Sequence, residues 1–146
     1  MKNIVCSIAL KKNVVAILIV EDGMIKRRAT ERVKDESVLD SSYSAMIYAF
    51  TVALRYVRDY IQQGNGEYSV CFETSNSTFV KWVENQYSKA AYQDAFIAAL
   101  KLLQELPIMY AFHYCPKPKA VAYADEKYCK KEKLSGLDVE GVDDGE

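Results

Sequence analysis

At 146 residues, half of them apolar and 27% charged, the chain has the length and make-up of one soluble domain with a full hydrophobic core. No apolar run approaches the roughly 20 residues that span a bilayer. The N-terminal MKNIVCSIALKK is short for a signal peptide and has no small-residue cleavage site, so the expectation is a cytoplasmic protein without a membrane segment.

Residues 3–10 (NIVCSIAL) form a nearly continuous apolar run, the pattern of a strand buried on both faces. Lys11, Lys12 and Asn13 make a short turn, and residues 14–20 (VVAILIV) are a second, β-branched strand. Glu21-Asp22-Gly23 is a hairpin signal, because Asp-Gly tolerates the positive φ angles of a tight turn. Residues 24–33 (MIKRRATERV) are a third, polar strand, which reads as an exposed edge.

Residues 41–61 predict a long helix. Met46, Ala49, Ala53, Val57 and Tyr60 recur at helical spacing, and Ile47, Phe50 and Leu54 widen the stripe. Asp40, Ser41 or Ser42 can cap its start, and Gly64 and Gly66 supply left-handed backbone after its end. A fourth strand follows at 67–72, a short helix at 79–85, an amphipathic helix at 92–106 stopped by Pro107, and a fifth strand at 108–114. Pro116 and Pro118 stiffen a turn before a closing helix at 120–134, which grows basic toward its end. A meander, a crossover helix and further strands predict an α/β domain over residues 1–134, with a mixed sheet and helices on its faces.

Residues 135–146 form an acidic tail. Asp138, Glu140, Asp143, Asp144 and Glu146 stand there without a base; net charge is −1, so with those five acids set aside the rest carries +4. Such a tail reads as solvated and disordered, or as a screen for a basic nucleic-acid surface. Cys6, Cys71, Cys115 and Cys129 are scattered without a CxxC pair, which argues for reduced thiols and against zinc. His113, the only histidine, stands two residues from Cys115 in aromatic surroundings, where a structural role is expected.

The element order, together with Ser44–Leu54, the run Thr74 to Val80 and Ala124-Asp125-Glu126, resembles the ribonuclease H-like family. That resemblance implies a five-stranded sheet of order 3-2-1-4-5. It also implies a carboxylate cluster holding two divalent ions about 4 Å apart for phosphodiester hydrolysis. The carboxylates are largely missing: Ser7 is the nearest polar residue on the first strand, Met46 stands for the helix glutamate, and Asn76 for the fourth-strand aspartate. Asp125 is retained, and Glu73 falls three residues out of register with that pattern. The implied protein is a non-catalytic domain without a cofactor, magnesium included, that binds nucleic acid or a protein handling it.

Its expected nucleic-acid contacts are Lys26, Arg27 and Arg28 on the third strand and Lys117, Lys119, Lys127, Lys130 and Lys131 around the closing helix, near Tyr123 and Tyr128. One alternative is a diverged metal-dependent nuclease built on Asp125, Glu73 and Glu21 or Asp22. Another is a small regulatory interaction protein of a phage or mobile element. Frequent tyrosines, including Tyr43, Tyr87 and Tyr92 at element ends, keep self-association open, with the third strand as the obvious edge.

Overall fold

The computed structural model describes residues 1–124; the rest of the closing helix and the acidic tail lie outside the described residues. Three antiparallel strands come first: β1 (Lys2–Lys11), β2 (Val14–Glu21) and β3 (Met24–Arg32). Asp22 and Gly23 both take positive φ in the tight turn between β2 and β3. A bulge between Ile19 and Val20 shifts the β2–β3 register. The charged connection after β3 coils into a 3-10 helix, Glu36–Asp40, whose first turn is capped by the Asp35 carboxylate.

Helix α1 (Ser42–Gln63) crosses to β4 (Tyr68–Thr74), and Ser41 caps it by accepting from the Tyr43 N–H. Gly66 has φ +106, as expected of a glycine after a helix, whereas Gly64 is extended (φ −98). Gly64 is required for a different reason: a Cβ there would overlap the Tyr68 hydroxyl. Then come α2 (Ser77–Asn85), the 3-10 turn Ala90–Tyr92, α3 (Gln93–Gln104), β5 (Ile108–Tyr114) and α4, described over residues 119–124.

The sheet order is β3-β2-β1-β4-β5, with β4 parallel to both of its neighbours. Even-numbered β1 residues Ile4, Cys6 and Ile8 face α1; odd-numbered Ser7 and Ala9 face α4, because side chains alternate along a strand. On the α1 face, Phe50 meets Phe72, Phe79 and Phe112 at centroid distances of 5.4, 5.2 and 5.4 Å. Each such ring contributes about 1.5–3 kcal/mol through burial. The stripe read from sequence is this contact surface, with Tyr60 at its half-buried rim. No described helix is long and apolar enough to cross a membrane.

Candidate functional site

Met46 and Asn76, two of the positions where carboxylates were expected, line one cleft of about 160 Å³. Its other walls are Ile8, Ala9 and Leu10 of β1 and the start of α1. No carboxylate among the described residues lines it. The Met46 sulfur accepts from Thr74 Oγ1 at 3.5 Å, and the Asn76 side chain accepts from the Phe79 N–H at 2.9 Å, capping α2. Asn76 is therefore engaged in holding a helix start, a role its amide oxygen fills without charge.

Ser7 does not join them. Its odd position turns it to the α4 face, where it meets Glu73. The sequence reading put Glu73 out of reach unless the strand end were rebuilt, but β4 runs to Thr74, two residues further than predicted. Glu73 thereby pairs directly with Ser7 across the parallel ladder. The Ser7 hydroxyl donates to Glu73 Oε1 at 2.9 Å and accepts from the Ala120 N–H at 2.9 Å. The Lys119 N–H donates to the same Glu73 oxygen at 2.9 Å, and its ammonium stands 3.6 Å from the other.

A helix start leaves its first N–H groups without intrahelical partners. Here two of them end on a serine and a glutamate supplied by the sheet. Glu73, only 7% exposed, is thus saturated by donors. Its charge also helps to raise the Cys71 thiol, which burial raises first and Lys119 pulls back.

Magnesium needs several oxygen ligands, mostly carboxylates and water. Among the described residues the cleft offers none of the former, and no three His, Cys, Asp or Glu side chains come together in a metal-binding group. Glu21 pairs with Ile4, three residues along β1 from Ser7, which is about 10 Å of strand. Glu21 also faces α1, where it accepts from the Tyr60 hydroxyl at 2.6 Å, while Glu73 faces α4. Glu21 and neighbouring Asp22 are therefore not brought to Glu73. Among the described residues, these carboxylates do not come together as a two-metal centre. Asp125 lies outside the described residues.

The predicted basic residues fall into two separated groups. Lys26, Arg27 and Arg28 sit exposed on β3, one edge of the sheet, whereas Lys117 lies in the turn after β5 and Lys119 stands over Glu73 of β4. Three strand spacings, about 14 Å, separate β3 from β4. Lys127, Lys130 and Lys131 lie outside the described residues. Arg27 turns to the α1 face, 5.1 Å above the Tyr60 ring and bonded to Gln63. With Lys2, which stands 5.4 Å from the Tyr68 ring, and Lys26, it lines a groove of about 320 Å³ that also contains Glu21 and Asp22.

Tyr123 was expected beside the closing-helix lysines as a stacking ring, but it is buried in the α4 cluster. Tyr128, the other ring expected there, lies outside the described residues. His113 is exposed rather than packed, and Cys6, Cys71 and Cys115 are free thiols.

A second aromatic group escaped the sequence reading. Tyr43 of α1 stacks on Trp82 of α2 at 5.0 Å and lies 5.5 Å from Tyr92, with the Lys89 ammonium 4.7 Å from the Tyr43 ring. Ser42, which lines the cleft, directly precedes Tyr43 of this cluster in the chain. Only Trp82, the single tryptophan, on a short helix beside Lys81 could have signalled it; its partners come from other elements.

No protein-family profile and no curated protein matches the sequence. Structural similarity is clear. LC11 ribonuclease H1 in complex with an RNA/DNA hybrid superposes with a TM-score of 0.62 at 16% identity, over 86% of this chain and 92% of that one. Ribonuclease H1 from the halophilic archaeon Halobacterium salinarum NRC-1 gives 0.63 at 14% identity, over 84% and 89%. The N-terminal ribonuclease H domain of a Mycobacterium tuberculosis protein gives 0.54 at 9% identity, over 90% and 99%. With the five strands in the order 3-2-1-4-5 and helices on both faces, the chain has the ribonuclease H-like fold.

Proposed function

We propose that this protein is a non-catalytic ribonuclease H-like domain that binds nucleic acid through its basic and aromatic surface. The observation that carries the reading is the cleft shared by Met46 and Asn76, which has no carboxylate among the described residues of its wall. A two-metal centre relies on carboxylates to neutralise its divalent ions and to help activate a water, and the described lining of this cleft has only neutral oxygens, those of Ser42, Thr74, Ser75 and Asn76. The buried carboxylate described nearby, Glu73, is occupied with Ser7 and the start of α4.

Binding is supported by the exposed Lys26 and Arg28 and by the Tyr43–Trp82–Tyr92 cluster with Lys89, a combination suited to phosphate attraction and base stacking. The similar LC11 ribonuclease H1 holds an RNA/DNA hybrid.

The test is fluorescence anisotropy with a labelled RNA–DNA hybrid over a range of salt, followed by a cleavage assay with magnesium. The expected result is binding that weakens steeply with salt, no cleavage, and lower affinity in the Lys26→Ala, Arg28→Ala and Lys89→Ala variants. Cleavage that disappears in Asp125→Asn would restore the enzyme. Absence of binding at low salt would leave a protein as the partner.

A further inference from the structure

The two edges of the sheet are protected very differently. β3 carries a bulge and the charges Lys26, Arg27, Arg28, Glu31 and Arg32, devices that discourage strand addition. Its own charge makes β3, the edge expected for self-association, the less suited of the two. β5 has no Asp, Glu, Lys or Arg and no bulge. Met109, Tyr110 and Tyr114 are 63%, 40% and 46% exposed on it. Among the described residues only the Ile108 N–H, at the start of the strand, is taken on its outer side, by the Leu106 carbonyl. In a strand, every second residue then offers its N–H and C=O outward without a partner.

We propose that this outer edge pairs with β5 of a second copy, antiparallel, about a two-fold axis at Ala111. Two observations point to a second copy. First, the strand is self-complementary in that register. Tyr110 lies opposite Phe112 of the partner subunit on the helix-rich face, an aromatic cross-strand pair of the kind that stabilises sheets. Second, the strand's two ends carry opposite charges. Glu105 precedes β5 and Lys117 follows it, both exposed and neither in an ion pair among the described residues. Antiparallel pairing brings the end of the strand that follows Glu105 beside the end that precedes Lys117 of the partner subunit, and symmetry repeats this approach at the other end. A partner strand bearing a charge in its middle would bury that charge against an uncharged edge.

The size of the contact sets its strength. Seven residues make a strand about 23 Å long, and one strand pair buries less than the roughly 800 Å² per partner of a standard stable interface. The dimer is therefore weak and concentration-dependent.

Sedimentation velocity of the full chain from micromolar to millimolar concentration tests it. The expected result is a weight-average mass that climbs from 16.6 kDa toward twice that value. Ala111→Lys places two like charges on the axis and holds the protein monomeric, as does Ala111→Glu, while an equimolar mixture of the two variants associates again. Ala111 is exposed, so circular dichroism and melting of each variant should match the parent. As a second measurement, Glu105→Lys weakens association and Lys117→Glu added to it restores association. A parent that stays monomeric throughout, or an assembly unchanged by Ala111→Lys, overturns the proposal.

Discussion

The two faces of the sheet are built on opposite principles. The α1 face is a continuous apolar layer of rings and branched side chains, with polar groups only at its rim. The α4 face is thin; small residues such as Ala9, Ala16, Ala120 and Ala124 let the helix approach closely. Beside them lies a buried polar knot of Ser7, Glu73 and two helix N–H groups. The difference teaches that a carboxylate at the heart of a ribonuclease H-like sheet need not be chemical. Its partners decide its role, and these partners are the donors of a helix start.

The contrast predicts unequal costs of mutation. The largest falls on the apolar face. Phe50→Ala removes the ring that touches three others and should cost about 3–5 kcal/mol in urea unfolding. A loss below about 1 kcal/mol would mean that this face is not the organising core.

Next comes the polar knot. Glu73→Ala strands a buried hydroxyl and a helix N–H, at about 1–3 kcal/mol. Ser7→Ala should cost less, and because the two side chains share one network their effects should not add. Carboxylates kept for chemistry commonly store destabilisation, so their removal tends to stabilise. A Glu73→Ala variant more stable than the parent would therefore refute the structural role.

Much of this architecture could be read from sequence. The meander and the crossover helix follow from apolar period and turn chemistry, the strand order is what the ribonuclease H-like resemblance implies, and β5 has the bounds expected for it. The failures have a common physical source. Glu73 and Thr74 looked like loop because a glutamate and a threonine end an apolar run, yet pairing with Ser7 and Tyr114 extends β4 through both. Ser7 was placed with Met46 because both are near the expected site; strand alternation sends it to the other face. Neither the Glu73 knot nor the Tyr43–Trp82–Tyr92 stack leaves a local mark, since each gathers residues from three separate segments.

The smallest expected effect concerns the rim of the apolar face and appears only in alkali. Burial, and then the hydrogen bond to Glu21, push the Tyr60 hydroxyl from 10.0 up to about 12. The folded chain thus keeps this proton after the unfolded chain has lost it. Between about pH 10 and 12 the native state binds more protons, so stability must fall as pH rises. Below that window the contribution is fully present. Tyr48 is raised in the same direction, by burial first and by its bond to Glu31, so the parent keeps some slope whatever happens at Tyr60. The informative quantity is the difference between the parent and Tyr60→Phe in urea unfolding at stepped alkaline pH. The phenylalanine variant should lose stability less steeply across the window. Equal slopes would show that the rim bond to Glu21 does not hold the Tyr60 proton, and that the polar rim is as open to water as the β3 surface beside it.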